Sequence, residues 1–458
     1  MTDVADVGVI GGGPAGAVAA ARLALLGHRV VLFAETPSIR PPETLSPAAV
    51  ELLETVGGRS AAEAGRLPAL RRALVQWGGR TESVGDATSL LHRGQFDAAL
   101  LANAARCGVR VVPVGTRPER VGPYDWRVTG GGREVRARFV IDAAGRRGVL
   151  PGRKQQLAPS TLAVSGRWIS GERARGESRI VAGSDGWYWA TLLPGGESWV
   201  TAFLSPVTLK KGVVAAYRHR VAGLNRLLDF EVGEPTGPTR VRLASPAVDG
   251  NPAGADWLKV GDAAFTLDPL SSQGVQSAIA HALAAACVAH TLLTSASPQW
   301  VPLTFYAARV RDSAACHLRL AGEWYRNQHA VTPTPFWEAR LPAPSPLPFR
   351  DPGELPDDPH LLLVRAANAR TDPVPVLRGD VVKLEQAVSH PRLDRPVAFV
   401  AGVAVAPLLD CLDTPAARGA VLNRWAESVA ASVGEAILRW CWRAGLIVLV
   451  NSNSQHSA

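Results

Sequence analysis

The feature that most constrains the fold is a glycine-rich turn near the start of the chain. The stretch "VGVIGGGPAGAVAAARLALLGHRVVLFAE" places Gly11, Gly13 and Gly16 in the GxGxxG spacing, after an apolar run and before a helical pattern. Gly11 allows the tight turn, Gly13 lets the backbone approach a pyrophosphate, and Gly16 lets helix and strand pack closely. The pattern predicts a strand–helix–strand unit that binds a dinucleotide.

Three further residues belong to this predicted nucleotide site. Pro14 suits the first helical turn because its missing N–H is not needed there, and Ala15 beside it is expected to contact the same ligand. Glu35, nineteen residues after Gly16, ends the second strand and is positioned to accept hydrogen bonds from a ribose diol. Because its charge would repel a 2′-phosphate, the site suits FAD or NAD and not NADP.

The remaining pattern predicts a parallel sheet, an antiparallel sheet and a separate C-terminal region. Apolar runs alternate with helical patterns up to residue 114, which is typical of parallel strands. Residues 162–204 are rich in Trp, Val and Thr with turn signals, which predicts an antiparallel sheet. Prolines crowd residues 331–359 and predict a linker without regular structure, beyond which periodicity returns. A chain of 458 residues is expected to form two or three domains.

Composition excludes several classes of function. The net charge of +9 is carried almost wholly by scattered Arg, without a basic run interleaved with aromatics, so we expect no nucleic-acid partner. Five cysteines without CxxC or zinc-like spacing indicate free thiols, a reducing compartment and no metal. The start of the chain lacks a basic n-region, and the apolar run Val397–Leu409 is shorter than a bilayer span. We therefore expect a cytoplasmic protein without a transmembrane segment.

A second informative stretch is "VGDAAFTLDPLSSQGVQSAIAHALAAACVAHTLL", from Val260 to Leu293. It begins like a buried strand, passes through Pro and Ser, and becomes an Ala-rich helix without a charged side chain at its start. The N-terminus of a helix carries free N–H groups and a partial positive charge. An uncharged start therefore favours a ligand that brings its own negative charge.

Three separated segments together resemble the superfamily of FAD-dependent aromatic hydroxylases and tryptophan halogenases. They are the N-terminal turn with Glu35, "VIDAAGRRG" at 140–148, and "KVGDAAFTLDPLSSQGVQSAI" at 259–279, and the resemblance covers about residues 4–340. It implies an α/β fold: a Rossmann-like FAD-binding domain of the aromatic-hydroxylase type, with an inserted antiparallel-sheet substrate domain and a small C-terminal α+β domain. The expected boundaries are 1–160 with 255–330 for the FAD-binding domain, 161–254 for the substrate domain, 331–359 for the linker and 360–458 for the C-terminal domain.

The resemblance also implies which residues of the third segment hold FAD. Gly261 and Asp262 correspond to the Gly-Asp pair whose Asp bonds the ribityl chain. The turn and helix start lie against the isoalloxazine ring, where a reduced flavin carries negative charge that a helix N-terminus stabilises. No catalytic acid or base is implied. The residues expected beside the ring are Pro269, Gly274 and Val275, together with the flavin-proximal candidates Ser271 and Gln273.

Two earlier segments resemble parts of the family that approach FAD. Arg93 and Asp97 in "LHRGQFDAALL" match the Arg that approaches FAD and the helix that follows it, with a surface salt bridge as the alternative. Arg40 and Thr44 in "RPPETLSP" lie where the family places a loop over the flavin.

The reaction is less constrained than the cofactor. "GWYWATLLP", with Trp187 and Trp189, resembles the halogenases' WxWxIP. However, residues 1–153 hold none of the Lys that halogenases need, and Ser271 stands where they carry Glu, so halide oxidation is not expected. The remaining reaction is aromatic hydroxylation by a flavin C4a-hydroperoxide formed with O2, with NADH or NADPH as electron donor.

The segment Tyr306–Arg340 and the Pro-rich stretch are most similar to the flavoprotein monooxygenases of tryptophylquinone maturation, of the quinohemoprotein amine dehydrogenase type. The resemblance implies that a Trp side chain of a precursor polypeptide is hydroxylated. One alternative is a monooxygenase, halogenase or reductase of a free small molecule such as an indole or a prenyl lipid. Another is a flavin-binding docking protein without catalytic activity.

Overall fold

The computed structural model divides the chain into two compact units, Met1–Ala343 and Pro344–Ala458. The first unit therefore extends past the expected boundary at residue 330. The residues that the structure describes are 3–36, 40–67, 72–84, 89–113, 117–170, 177–193, 195–209, 212–224, 232–343 and 351–450.

The first sheet of the N-terminal unit is built on parallel strands, as the alternating apolar runs predict. Its five central strands run parallel. All residues of Val30–Ala34 (β2) and the last four residues of Asp3–Ile10 (β1) are buried, which is typical of a sheet covered by helices on both faces. The order of the strands is β19 (Ala253–Gly254), β20 (Trp257–Lys259), β10 (Arg133–Asp142), β1 (Asp3–Ile10), β2 (Val30–Ala34) and β7 (Arg110–Pro113), with β9 (Asp125–Gly130) and β8 (Glu119–Gly122) extending from β10.

The second sheet is largely antiparallel and contains the predicted strands of residues 162–204. It also contains β4 (Arg72–Trp77) and β5 (Arg80–Val84). The sequence does not predict this, because the parallel partner of β4 is β13 (Glu177–Ala182), which lies about a hundred residues later in the chain. Its strands lie in the order β16 (Val232–Pro235), β12 (Leu162–Ser170), β15 (Glu197–Leu204), β14 (Gly186–Leu192), β13 (Glu177–Ala182), β4 (Arg72–Trp77) and β5 (Arg80–Val84), and β17 (Arg240–Leu243) also pairs with β12.

Two smaller sheets connect the large ones. One pairs β3 (Glu43–Leu45) with β6 (Ser89–Leu91), and the other joins β11 (Lys154–Gln156), β18 (Ala247–Asp249) and β21 (Phe265–Thr266). The described helices of this unit are α1 (Pro14–Leu25), α2 (Pro47–Glu54), α3 (Arg59–Gly65), α4 (Arg93–Arg106), α5 (Val213–Ala222), α6 (Gly274–Thr294), α7 (Trp300–Val331) and α8 (Pro335–Glu338).

Helix α6 is the Ala-rich helix that the sequence predicts. Its small side chains let it pack closely on the equally Ala-rich α1, and this contact places the starts of both helices on the same side of the parallel sheet. By length and composition alone α6 could span a membrane, with a mean hydropathy of 1.5, yet most of that apolar window is buried inside the protein.

The Pro-rich stretch is more ordered at its start than the sequence predicts. Residues Pro335–Glu338 form the short helix α8, and the side chain of Trp337 is fully buried. The Trp337 indole nitrogen donates a hydrogen bond to the carbonyl oxygen of Gly183 at 3.1 Å. Aromatic side chains between the prolines thus attach this segment to the second sheet.

The C-terminal unit has its own apolar core and mixes strands with helices, as predicted. Trp425 is buried in this core and donates a hydrogen bond from its indole nitrogen to Leu408 O at 2.9 Å. The elements are β22 (Leu362–Arg365), β23 (Arg370–Arg378), β24 (Val381–Ser389), β25 (Phe399–Val400), β26 (Val403–Ala404), α9 (Ala406–Leu409), β27 (Ala416–Ala417), α10 (Arg418–Trp425), α11 (Ala431–Arg443) and β28 (Ile447–Leu449).

The buried His281 of α6 is expected to make the stability of the N-terminal unit depend on pH. Its ring bonds the Ser313 hydroxyl of α7 at 2.9 Å, and burial, with Arg309 and His317 nearby, lowers its pKa to about 3. Below its ordinary pKa of 6.5 the unfolded chain takes up a proton that the folded protein does not. We expect the free energy of unfolding to fall with decreasing pH from 6.5 towards 3, by at most about 1.4 kcal/mol per pH unit from this group.

The variant His281→Gln removes the titrating ring and is expected to flatten this dependence. Urea unfolding between pH 7.5 and about pH 5 would measure it. An equal slope in the variant and the natural protein would show that other groups cause the acid sensitivity.

Candidate functional site

A cavity of about 550 Å³ opens at the carboxyl ends of the parallel strands, between them and the second sheet. The turn after β1, Glu35 after β2 and the segment after β10 all line it. This is the place where open α/β sheets bind ligands. Of the sequence-predicted residues, those that line the cavity are Gly11, Gly13, Pro14, Ala15, Glu35, Arg40, Thr44, Arg93, Asp97, Trp189, Asp262, Pro269, Ser271, Gln273, Gly274 and Val275.

The glycine turn has the geometry that its spacing predicts. Gly11 has a φ of +113°, and a Cβ there would overlap the carbonyl oxygen of Ala143. A Cβ on Gly16 would overlap the carbonyl oxygen of Gly11, so this residue is required by packing and does not line the cavity. A Cβ on Gly13 would meet no atom within 4 Å, because it would project into the open cavity. The turn thus leaves open space beside Gly13, into which a pyrophosphate would fit.

Asp262 is placed by a short turn that two basic residues support. Its carboxylate lies 3.4 Å from Arg146 Nε and is half exposed to the cavity. The ammonium group of Lys154 donates hydrogen bonds to the carbonyl oxygens of Asp262 and Arg146, each at 2.6 Å. Gly261 does not line the cavity, but its φ of +59° and its approach to Ala15 bring the turn close to the start of α1.

The start of α6 faces the cavity without an acidic side chain in its first turn. A Cβ on Gly274 would meet no atom within 4 Å, so the helix N-terminus is open to a ligand. Thr44 Oγ1 donates to the carbonyl oxygen of Ser272 at 3.2 Å, which ties β3 to this turn. The hydroxyl of Ser271 donates to the carbonyl oxygen of Asp268 at 2.9 Å and is therefore already engaged in the turn.

Sequence reasoning missed Asp268, the residue that holds this turn in place. Its two carboxylate oxygens both accept the Tyr325 hydroxyl, at 2.9 and 2.8 Å, and one also accepts Leu270 N at 3.0 Å. Burial raises the pKa of Asp268. The Asp-Pro sequence at the start of the turn is the only local signal, and it does not reveal the partner on α7, more than fifty residues away.

Arg93 lies in the cavity wall but is more completely paired than the sequence indicates. It forms ion pairs with Asp97 and with Glu43 and is 6% exposed, so the predicted salt-bridge alternative is present as a buried network instead of a surface pair. Burial lowers the pKa of Arg93, but the carboxylates of Glu43 and Asp97 outweigh it, so the pKa lies above its ordinary value. Arg40 differs, because its Nε is buried and has no hydrogen-bond partner among the described residues.

The opposite wall of the cavity is one face of the second sheet. Trp189 and Phe203 line it, whereas Trp187 lies behind Phe203, stacked on it with ring centroids 3.7 Å apart. Of the two Trp residues of the predicted motif, only Trp189 therefore faces the cavity. Small hydroxyl side chains lie between the aromatics, and no Lys is found among the described lining residues; the wall comprises Ala163, Ser165, Trp189, Thr191, Trp199, Thr201 and Phe203.

The arrangement fits FAD. One cavity combines open backbone, carboxylates and a guanidinium group. The open backbone lies at Gly13 and Gly274, and the carboxylates belong to Glu35 and Asp262. The guanidinium group is that of Arg40, whose Nε has no partner among the described residues. An extended anionic dinucleotide would meet open backbone at the turn and at the helix start, and carboxylates where its hydroxyl groups lie.

Comparisons with known proteins agree with this geometry. The family model for tryptophan halogenases matches residues 75–348. Tryptophan 2-halogenase of Chondromyces crocatus is 26% identical over 365 residues, covering 72% of this chain and 70% of that protein.

Solved structures extend the likeness to the whole chain. Peptidyl tryptophan dihydroxylase QhpG, essential for tryptophylquinone cofactor biogenesis, matches with a TM-score of 0.77 and 26% identity over 96% of this chain and 99% of that one. The flavin-dependent halogenase CmlS matches in fold with a TM-score of 0.76 and 20% identity over 99% and 97%.

Fold, site and relatives together define an FAD-dependent oxidoreductase. The chain belongs to the tryptophan halogenase family. The predicted superfamily, fold class and enzymatic nature are thereby confirmed.

Proposed function

We propose that this protein is an FAD-dependent monooxygenase that hydroxylates a tryptophan side chain of a precursor polypeptide during biogenesis of a quinone cofactor. The observation that carries the proposal is the likeness to the peptidyl tryptophan dihydroxylase, which includes the C-terminal unit and combines 26% identity with nearly full coverage. Five free cysteines support a reducing compartment such as the cytoplasm.

The residues proposed to hold FAD are those of the predicted site. The Gly11–Gly16 turn and the start of α1 would hold the pyrophosphate, Glu35 the ribose, Asp262 the ribityl chain, and the start of α6 the flavin ring. Arg40, Thr44 and Arg93 would border the cofactor. When bound, FAD supplies electrons, taken from NADH or NADPH, for the reduction of O2.

The second-sheet wall would bind the reacting side chain. Trp189, Trp199 and Phe203 offer aromatic surfaces against which an indole can stack, and the hydroxyl of Ser165 or Thr191 can accept its N–H. These side chains would also displace water from the reacting ring, which protects an oxygenation reaction from uncoupled loss of electrons. Asp268 and Tyr325 would keep the flavin-facing turn at a fixed distance from this wall.

Halogenation is the second candidate, since relatives of similar identity are halogenases. Two observations on this chain count against it. No described lining residue is a lysine, and Ser271 occupies the position where the halogenases carry Glu, with its hydroxyl engaged in the turn.

The test is intact-mass analysis of a tryptophan-containing precursor polypeptide after incubation with the FAD-loaded protein, NADH or NADPH, O2 and chloride. Hydroxylation predicts a gain equal to one or two oxygen atoms, lost when O2 is excluded. A chlorine isotope pattern would support halogenation instead. Modification of free indole or tryptophan with an unchanged polypeptide would support a small-molecule enzyme, and failure to oxidise NADH or NADPH under any condition would support a docking protein.

A further inference from the structure

Strand β17 has an open edge next to the cavity. Within the described part of the chain it pairs with β12 alone, with Arg242 opposite Ala163 and Val241 opposite Val164. The other strand on this side of β12 is β16, which pairs further along, so β16 and β17 lie end to end. Among the described residues, no strand covers the outer edge of β17.

The hydrogen-bond pattern shows which backbone groups face outward. Just beyond β17, Ala244 N donates to Thr161 O at 2.8 Å. Because hydrogen-bonded and non-bonded pairs alternate in an antiparallel ladder, Arg242 and Arg240 direct their backbone groups towards β12. Val241 and Leu243 therefore direct theirs away from it, and in the described part of the chain these groups have no backbone partner.

This edge is continuous with the cavity. Arg242, Leu243 and Ala244 all line the cavity, beside Ala163 and Ser165 of β12. The side chains of Val241 and Leu243 are 43% and 51% exposed, although both are apolar. Exposed edges of this kind are places where a sheet accepts an added strand.

The charge around the edge is positive. Among the described residues that act on the charge of Arg242, three are arginines (Arg40, Arg146 and Arg240) and one, Glu43, is acidic. Burial and the neighbouring arginines lower the pKa of Arg242. An added strand at this position is therefore favoured if it carries acidic side chains.

We infer that the outer edge of β17 is the docking strand for an extended acidic polypeptide segment, which pairs with Val241 and Leu243 and delivers its tryptophan to the adjacent cavity. The inference rests on the proposed function, because it requires a polypeptide substrate. The inference specifies how the substrate is held. Main-chain hydrogen bonds provide affinity, and the arginine side chains select acidic sequences.

Hydrogen exchange on the full-length, FAD-loaded protein tests the docking directly. The probe is a short synthetic peptide in which one Trp is flanked by Glu and Val, and its control carries Lys in place of each Glu. Exchange of the amide protons of Val241 and Leu243 is expected to slow by about tenfold or more with the Glu peptide and much less with the Lys peptide. Unchanged exchange at saturating Glu peptide would overturn the inference.

A matched pair of variants provides a second test. Val241→Pro removes an outward N–H without removing a bond to β12, whereas Val241→Thr keeps that N–H. Peptide affinity is expected to fall about tenfold in the Pro variant and to stay nearly constant in the Thr variant. Flavin absorbance and Tm verify that both are folded; if the Pro variant does not fold, the exchange experiment still decides. Equal affinity in the folded variants would overturn the inference.

Mass analysis separates this inference from the proposed reaction. A peptide that slows exchange at the edge of β17 but gains no oxygen would support the docking and contradict the proposed reaction. A peptide that gains as much oxygen with the Val241→Pro variant as with the natural protein would support the reaction and contradict the docking. Protection that grows with protein concentration in the absence of peptide would show that the edge pairs with a second copy of this chain, and would also contradict it.

Discussion

Gly16→Ala is expected to lower the free energy of unfolding by about 3 kcal/mol and to abolish FAD binding, whereas Gly13→Ala should abolish FAD binding alone. The difference arises from what each new methyl group meets. At Gly16 it overlaps the backbone oxygen of Gly11, so the strand and helix must separate. At Gly13 it meets only the cavity.

The Gly13→Ala variant is therefore the informative one. Its methyl group would fill the space that we assign to the pyrophosphate, and its stability without cofactor should stay within about 0.5 kcal/mol of the natural protein. Urea unfolding of the flavin-free proteins measures the first quantity, and flavin absorbance after reconstitution measures the second. Gly27→Ala is the matched control, because Gly27 has a φ of +89° but lies far from the cavity lining, so it should cost some stability and leave FAD binding intact.

If Gly13→Ala binds FAD as the natural protein does, the pyrophosphate does not lie beside this turn, and the assignment of the nucleotide site is wrong. If it fails to fold, the open space at Gly13 has a structural role that the geometry does not show.

Breaking the ion pair between Lys259 and Asp249 is expected to be the most destabilising change outside the glycine turn. Both side chains are 3% exposed, and Lys259 Nζ lies 2.6 Å from Asp249 Oδ2 and 2.9 Å from the carbonyl oxygen of Pro151. Asp249→Ala leaves a buried ammonium group with one carbonyl partner. We expect a loss of about 3–5 kcal/mol in the free energy of unfolding.

The double variant Lys259→Met with Asp249→Ala removes both charges and should recover much of that loss, and Lys259→Met alone completes the cycle. A double-mutant cycle from urea unfolding gives the coupling energy of the pair. Arg326→Ala, which removes an exposed pair with Glu323, is the control and should leave stability nearly unchanged. Additive losses in the single and double variants would show that the two charges do not depend on each other.

Lys259 also connects this pair to the candidate site, because it lies three residues before Asp262. The single variants should therefore lose FAD more readily during purification, and the double variant should retain it better than either. Flavin content at equal protein concentration checks this expectation.

The local geometry of the glycine turn and of the start of α6 can be predicted from the sequence because its causes are local. The conformation of Gly11, the close packing at Gly16 and the charge-free start of α6 are all set within a few residues of the chain. The ends of strands and helices, which periodicity locates, then place Glu35 and the proposed pyrophosphate site at one edge of the sheet.

What the sequence does not predict depends on contacts between distant segments. Asp268 acquires its role from Tyr325 on α7, and the pairing of Arg93 depends on Glu43 in a different element. Proline density predicts that residues 331–359 lack regular structure, yet Trp337 is buried against the second sheet. Likewise Trp187 and Trp189 lie two residues apart on β14, so the sequence does not distinguish them. In the structure Phe203 covers Trp187, and Trp189 faces the cavity.

Strands β4 and β5 lie between α3 and α4 in the chain, within the nucleotide-binding half. They nevertheless complete the sheet on the other side of the cavity. Residues 161–254 therefore do not contain the whole second sheet. A chimera that transplants residues 161–254 alone would leave β13 with an unpaired edge, and only one that carries residues 72–84 along with them would deliver an intact substrate wall.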